Sequence, residues 1–525
     1  MKIEKVMYND DIKKISTSIV CLLIVISLCG CIDISNIENN KDIEDKDVLV
    51  VGYFENLSLN PFRLNVYNQL TIKPNLFNGL VEFDEKFKII PALSESWNNP
   101  DNLTWRFFLR ENVKFHNGYN FTAEDVKYSI DEIFVSYKSF IKEVIIVNNF
   151  TIEIKTYEPY PGFLSKLAQS FIIFSKKYIE ETETNWPIGT GAYKLSEYEE
   201  NNYTKLERFD DYWKEKPSIK TVIFRFIEDD QERINELVSG NIDIAEYNID
   251  ESIDEILQEE GIKLVKFPPL STYIIGFDLR ENGSYGFPDE KNPTSDLRVR
   301  KAIYHAIDIE PLINGPFKGL AIPATQFITA YIFGYNPEIE RLSYDVDLAR
   351  DLLEEAGYGE GFDIEMDCIT ENYEYNLENV GLIADQLSEI GINVSLNCLS
   401  MEEFNKKVVL EKNTSLWLVG WGTISIDGGF VYNYFIRTEG ENQSGFYNSG
   451  HYYNSEVERL GEEAFSEMNS EERSKRLQEG FKIAIVDDVI VVPLFSQELF
   501  VLTGDYIDFE PRADLKLVVE NVDIN

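Results

Sequence analysis

The chain has 525 residues, a formal net charge of −43 and a hydrophobic content of 44%. This length is too great for one hydrophobic core, so we expect two or three domains. The strong negative charge excludes a general nucleic-acid binder, which would need a basic face. It is typical of a solvated acidic surface, and it would also favour cationic ligands.

The N-terminal segment has the composition of an export signal. Lysines at positions 2, 5, 13 and 14 precede an apolar run over 19–28. This run is shorter than the ~20 residues of a membrane-spanning helix and is typical of a signal peptide. It leads into Leu28-Cys29-Gly30-Cys31, which resembles the lipobox of prokaryotic lipoproteins. The resemblance implies cleavage before Cys31 and lipidation of its thiol, with an uncleaved short anchor as the alternative. Residues 1–30 would then be the signal peptide, and the polar stretch 31–47 a flexible tether.

The next strong patterns predict a buried strand and a strand–turn–helix unit. Val48–Tyr53 is a nearly continuous apolar run, typical of a buried strand. Trp105–Ile130 begins with period-two alternation, which predicts a strand, and continues through a glycine-bearing turn at 116–118. Thr122 then stands at a helix N-cap position, with Asp125 three residues later to complete a capping box. The helix that follows should place positions 126, 130 and 133 on one face.

A second unit, over 362–398, predicts two parallel strands. Alternation over 362–368 and again over 392–398 flanks a helical pattern over 378–390 that ends at Gly391. A strand–helix–strand order of this kind makes parallel strands. Cys368 and Cys398 fall on the apolar faces of these strands. We expect two core thiols, with a disulfide as the alternative in an oxidising compartment.

Several short motifs, in order along the chain, resemble one family. They resemble the extracellular solute-binding proteins, family 5, of dipeptide, oligopeptide and nickel importers. The motifs are Leu59–Phe62 (LNPF), the stretch Trp105–Ile130, Pro187–Tyr193 (PIGTGAY), Asp211–Trp213 (DYW), Ser239–Ala245 (SGNIDIA), Asp296–Ala302 (DLRVRKA), Tyr344–Tyr358 and Gly420–Trp421 (GW).

The resemblance implies an α/β fold of the type II periplasmic-binding-protein kind, with two lobes around a cleft. Lobe I would comprise residues 48–268 and 486–525, with an inserted subdomain at about 80–186. Lobe II would comprise 269–485, so that the tail, including Val489–Phe495, returns to lobe I. Two crossovers between lobes would form a hinge that closes around ligand.

The residues give no constellation typical of an enzyme. The chain has three histidines, and it contains no HExxH, Walker loop, GxSxG elbow or CxxC motif. His116 in its turn and His305 in a helix are predicted to be structural. Asp345-Val346-Asp347 is explained by a helix N-terminus better than by a calcium loop. We expect no catalytic residue, metal or cofactor, although spacing alone does not exclude a carboxylate pair of the glycosidase type.

The resemblance also implies where ligand is contacted, namely the loop after the first strand and the loop that begins at the GW motif. The candidate ligand-binding residues are Asn60, Arg63, Tyr67, Gln69, Trp421, Gly422, Thr423, Asp427 and Tyr432. The alternative for Trp421 is a core tryptophan that packs the hinge. Glycines beside it would let the backbone approach ligand closely.

One position in the second loop departs from the peptide-binding pattern. Peptide-binding relatives have an aspartate three residues after the tryptophan, which pairs with the α-ammonium of the peptide, whereas this chain has Ile424. An isoleucine cannot neutralise a buried ammonium, so ordinary peptide binding requires Asp427 or another acid. The loop is also similar to that of nickel-binding members, which hold the metal through a small chelator. In this chain, Arg63 or Arg437 could meet the carboxylates of such a chelator.

The resemblance therefore implies a substrate-binding lipoprotein of an ABC importer. It would be a monomer, tethered to the outer face of the cell membrane, that captures a peptide or other small solute. It would deliver this solute to the permease and ATPase subunits. The alternatives are a nickel-chelate or other metallophore binder, a peptide-sensing or chaperone-like receptor, and, from another class, a secreted hydrolase with a carboxylate pair.

Overall fold

The structure, a computed structural model, describes residues 47–54, 72–182, 187–247, 252–370, 377–422, 426–440, 443–512 and 514–525. Strands and short helices alternate along these ranges. In chain order the strands are β1 Val48–Tyr53, β2 Val81–Phe83, β3 Ile89–Pro91, β4 Ser94–Asp101, β5 Thr104–Leu109, β6 Ile141–Asn148, β7 Thr151–Thr156, β8 Tyr193–Glu199, β9 Tyr203–Arg208, β10 Thr221–Phe226, β11 Ile244–Glu246, β12 Ile262–Lys266, β13 Ser271–Phe277, β14 Ala321–Pro323, β15 Phe362–Ile369, β16 Ile392–Leu399, β17 Leu416–Gly422, β18 Val491–Pro493, β19 Phe495–Gln497, β20 Phe500–Gly504, β21 Ile507–Asp508 and β22 Asp523–Ile524.

Most helices are three turns or shorter, and four of them end in a π-helical turn. The α-helices are Lys73–Leu76, Ala123–Tyr128, Phe163–Ser170, Lys176–Glu181, Asp230–Val238, Ile253–Ile256, Leu297–Ala306, Glu310–Asn314, Val346–Ala356, Leu377–Ser388, Met401–Phe404, Gly428–Val431, Ser455–Ser466 and Ser470–Lys482. The π-helical turns are Ser129–Ile133, Asn405–Leu410, Tyr432–Ile436 and Ile483–Asp487, and the 3-10 turns are Val135–Ser139, Pro293–Ser295 and Val519–Asn521. Within the described residues, no helix has the length and apolarity needed to cross a bilayer.

A seven-stranded sheet, in the order β12-β20-β11-β1-β10-β9-β8, forms the unit that we call lobe I. Strand β1 lies in the interior of this sheet and runs parallel to both neighbours, β10 and β11. Leu49, Val51 and Tyr53 on one face of β1 are buried in the core of the lobe. The predicted buried strand is therefore confirmed.

A five-stranded sheet, in the order β16-β15-β17-β13-β18, forms the unit that we call lobe II. Strands β15 and β16 are parallel and are joined by the helix Leu377–Ser388, as predicted. Cys368 lies directly opposite Cys398 in this register, and the two residues form a disulfide. The expectation of two free core thiols is therefore wrong, because the apolar face on which each residue lies does not reveal the cross-strand register.

A four-stranded antiparallel sheet, β4-β5-β7-β6, forms a separate core with the strand–turn–helix unit, and we call this region the inserted subdomain. Strand β5 and the helix Ala123–Tyr128 were both predicted, and Thr122 makes the predicted capping box with Asp125. Trp105 and Phe107 on β5 are buried in this core.

The inserted subdomain is fixed to lobe I by polar and aromatic contacts. The ring of His116 bonds to the Gly191 carbonyl at 3.1 Å through Nε2 and accepts the Gly189 N–H at 3.3 Å through Nδ1. The Phe134 ring packs against the cores of both units. His116 therefore has a structural role, and Nδ1 acts as the acceptor nitrogen.

The chain crosses between the two large sheets twice. The first crossover, 267–270, joins β12 of lobe I to β13 of lobe II. The second follows β18 of the lobe II sheet and runs through β19, which pairs with β14 in a two-stranded sheet, and residues 498–499 to β20 of lobe I. The tail was predicted to return to lobe I from residue 486 with Val489–Phe495. Strand β18 instead pairs with β13 in lobe II, so the return falls at residue 498.

Candidate functional site

The candidate site lies at the carboxyl ends of the parallel strands, where α/β sheets usually bind ligands. In lobe I this edge is formed by the ends of β1, β10 and β11. Arg233, fully buried, donates from Nε to the Glu246 carbonyl and from Nη1 to the Ile227 carbonyl, both at 2.6 Å. These bonds join the ends of β10 and β11. Tyr53 at the end of β1 is buried, and this burial raises the pKa of its hydroxyl, which stays protonated.

In lobe II the same edge presents an aromatic cluster around Trp421, at the end of β17. The centroid of the Trp421 ring lies 4.3 Å from that of Phe435 and 4.8 Å from that of Tyr447. Trp421 is half-buried, and its Nε1 has no hydrogen-bond partner among the described residues. An indole N–H in such a position usually has an acceptor. Trp421 therefore packs as part of the cluster, and its indole N–H is buried there without a partner among the described residues.

The glycines around Trp421 make room for protein groups. A Cβ on Gly420 would lie 2.3 Å from the ring of Tyr273, so the glycine of the GW motif accommodates that ring. A Cβ on Gly428 would lie 2.5 Å from the Phe333 carbonyl oxygen. Close approach of backbone to ligand is therefore not needed to explain these two glycines.

Asp427 is held in a buried ion pair. Its carboxylate accepts from Arg473, with Nη1 to Oδ2 at 2.8 Å and Nη2 to Oδ1 at 2.7 Å. Oδ1 also accepts the Gly429 N–H at 2.9 Å and so caps the helix Gly428–Val431. Asp427 and Arg473 are 7% and 6% exposed. Both carboxylate oxygens are therefore already neutralised, and Asp427 is not available to replace the missing acid at position 424.

Two other predicted contacts also have partners within lobe II. Tyr432 is fully buried, and its hydroxyl donates to the Val457 carbonyl at 2.7 Å. The Arg437 guanidinium donates to Glu458 at 2.9 Å and lies over the ring of Phe465. Tyr432 is therefore a core residue, and the Arg437 guanidinium is paired with a carboxylate of its own lobe.

The remaining predicted residues lie outside the described ranges. They are Asn60, Arg63, Tyr67, Gln69, Thr423 and the lipidation candidate Cys31. Gly422, the last residue of β17, is exposed at the end of the strand beside Trp421. The structure thus places Trp421 and Gly422 together at the end of β17 and Asp427 in a separate ion pair, and the lobe I half of the prediction lies outside the described residues.

Sequence reasoning missed Arg473 and Arg233, although a signal for each was present. Arg473, Leu477 and Phe481 recur at i, i+4 and i+8 on one helix, so the arginine shares the apolar face and should have a buried partner. Arg233 has the same relation to Leu237. For metal binding, the described ranges hold no group of three or more His, Cys, Asp or Glu side chains that could bind an ion.

Comparison with known proteins agrees with this architecture. The model of the bacterial extracellular solute-binding proteins, family 5 Middle, matches residues 88–443. The dipeptide-binding protein of Escherichia coli strain K12 is 27% identical over 401 residues, which are 69% of this chain and 72% of that protein. The nickel-binding protein NikA of Staphylococcus aureus is 24% identical over 446 residues, 83% and 84% of the two chains. The structure of HbpA2 from Haemophilus parasuis superposes with a TM-score of 0.81 at 23% identity and covers 91% of this chain and 100% of that one.

Proposed function

Because this chain belongs to the bacterial extracellular solute-binding proteins, family 5, we propose that it captures a small solute between its lobes. It would then deliver the solute to the permease and ATPase subunits of an ABC importer. The observation that carries this proposal is the pair of adjacent crossovers between two sheets, which allows the lobes to rotate about a hinge. Members of this family act outside the cytoplasm.

The proposed ligand contacts come from both loops. On the lobe I side they are Asn60, Arg63, Tyr67 and Gln69, and on the lobe II side Trp421, Gly422 and Thr423. We leave out Asp427 and Tyr432, because the first is neutralised by Arg473 and the second has no exposed surface. Trp421 supports the proposal best, since it is only half-buried at the end of β17, beside the exposed Gly422.

The ligand is a peptide or a related small compound. The loop has Ile424 where peptide-binding relatives have their aspartate, and Asp427 is ion-paired. A free α-ammonium would therefore be buried without a counter-charge beside this loop, which is costly. We infer that recognition depends on groups other than an α-ammonium at this loop, and that a peptide with an acetylated N-terminus binds about as well as its free form.

The proposal includes attachment to the membrane through a lipid on Cys31 and action as a monomer. Catalysis is left to the partner ATPase. The named relatives are binding proteins, which supports a binding role for this chain rather than turnover of its ligand.

Titration calorimetry on the full chain tests the proposal. The probes are free and N-acetylated di- and tripeptides, and Ni²⁺ with histidine. Saturable binding of a peptide, weakened by Trp421→Ala and not by the control Trp97→Ala on β4, is the expected result. Binding of Ni²⁺ with histidine alone would instead identify a nickel-chelate binder. Release of product from any probe would contradict a binding role.

A further inference from the structure

A contact between the inserted subdomain and lobe II lies apart from the two crossovers. It joins the segment Tyr160–Phe163 to the Asp427–Arg473 ion pair. A Cβ built on Gly162 would lie 2.9 Å from Asp427 Oδ2 and 3.8 Å from its Cγ. Such a distance is shorter than Cβ atoms normally tolerate, so glycine permits this approach. The carboxylate also lies at the N-terminal end of the helix Phe163–Ser170, where a negative charge is favourable.

The surroundings of this contact are apolar and closely packed. Ile426, beside the ion pair, is 6% exposed and belongs to the core of the inserted subdomain. Met468 of lobe II packs against the same core. The Arg473 guanidinium lies over the ring of Phe333, 4.9 Å from its centroid. Lobe II thus inserts a side chain into the subdomain and holds the adjacent charges with its own residues.

The first crossover also touches the inserted subdomain. Leu270, the last residue of the first crossover, packs against the core of the inserted subdomain and against the Ile274-containing core of lobe II. The two crossovers also bond to each other, because the Phe267 N–H donates to the Leu499 carbonyl at 2.7 Å and Lys266 pairs with Glu498 at 2.7 Å. The crossovers therefore act as a single connection, and the subdomain contact is a second one.

Two connections between rigid bodies define an axis of rotation, and contacts on that axis keep their distances as the bodies turn. The inserted subdomain is fixed to lobe I through His116 and Phe134. We propose that the Gly162–Asp427–Arg473 contact is a second pivot of the hinge, in addition to the crossovers. Lobe II then rotates about the line that joins the crossovers to this contact. Gly162, Asp427 and Arg473 are then positioning residues that set the angle of the ligand-binding loop. The proposal rests on the proposed function only in that the rotation serves ligand capture.

A cross-link tests the geometry without any ligand. Gly162→Cys and Asp427→Cys, combined in the full chain, should form an oxidative cross-link that neither single variant forms. Small-angle scattering should then give the same radius of gyration for the oxidised double variant and the unaltered chain, because a pivot stays in contact at every lobe angle. A more compact oxidised form would show that the contact forms only on closure, and failure to cross-link would show that it does not form. Either result overturns the proposal.

A second test places a charge at position 162. Gly162→Asp puts a second carboxylate against Asp427, whereas Gly162→Asn adds the same bulk without charge. The two carboxylates would lie about 4 Å apart, and their repulsion should favour separation of the contact by about five-fold or more. This separation should appear as a larger radius of gyration. Adding Asp427→Asn to Gly162→Asp should restore the smaller value.

The matched control is Gly381→Ala, whose Cβ meets open space in the helix Leu377–Ser388 and should change nothing. Equal radii of gyration for Gly162→Asp, Gly162→Asn and the unaltered chain would refute the proposal that this contact is a pivot. None of these measurements uses a ligand, so a failure here is distinct from a failure to find the transported solute.

Discussion

Removing Arg473 tests whether the charge of Asp427 depends on this one partner. In Arg473→Met the methionine fills part of the guanidinium space but leaves a 7% exposed carboxylate without its ion-pair partner. Loss of one member of a buried pair costs about 3–5 kcal/mol. For a unit the size of lobe II, each kcal/mol lowers Tm by about 2–4 °C, so we expect a fall of roughly 6–20 °C.

The assay is differential scanning calorimetry of the full chain at pH 8, in which the Tm of the variant is compared with that of the unaltered protein.

Arg476→Met is the matched control, because Arg476 lies on the same helix and pairs with Glu463 and Glu467 at its exposed side. Exposed pairs of this kind contribute about 0–1 kcal/mol. An Arg473→Met variant as stable at pH 8 as Arg476→Met would refute the idea that Asp427 is a buried charge neutralised by Arg473.

Three further outcomes follow from single sites. Replacing Cys368 and Cys398 by serine removes a cross-link between residues 30 apart in sequence, and should lower the free energy of unfolding by about 3–4 kcal/mol; calorimetry that shows no loss would contradict this. Burial lowers the pKa of His116 to about 4, so on acidification the unfolded chain binds a proton at this residue before the folded chain does. The free energy of unfolding should therefore fall by roughly 2–3 kcal/mol from pH 6.5 to pH 4. Urea unfolding of His116→Gln should lack this share of the pH dependence, and an unchanged profile would contradict the assignment. Trp421→Ala should weaken ligand binding about tenfold or more while the chain stays folded; unchanged affinity in the folded variant would identify Trp421 as a packing residue alone.

Local chemistry explains most of what the sequence could predict of the fold. The Thr122–Asp125 capping box and the left-handed Gly357 after the helix Val346–Ala356 depend on a few neighbouring residues. Each is therefore visible in a short window of sequence. The parallel pair β15 and β16 follows in the same way from two alternating segments around one helix.

Features that depend on distant residues were harder to predict. The run Val489–Phe495 is apolar enough for either sheet, so its pattern could not show that β18 pairs with β13. Asp427 was predicted to face ligand because its loop does so in relatives. Its partner Arg473 lies 46 residues further along the chain, and only the apolar helix face on which that arginine lies hinted at a buried counter-charge.

The position of β20 has a consequence for the order in which the chain folds. This strand comes from residues 500–504, yet it lies between β12 and β11 in the sheet of lobe I. All strands of the lobe II sheet are complete once residue 493 has emerged, whereas lobe I must keep a gap open for a strand near the end of the chain. The last residues also complete lobe I, since Asn75 bonds to the backbone at Leu517 and Val519. When the chain emerges from its N-terminus, lobe II can therefore finish first, and lobe I exposes two unpaired strand edges until residues 500–504 arrive, an interval in which protection from aggregation matters most.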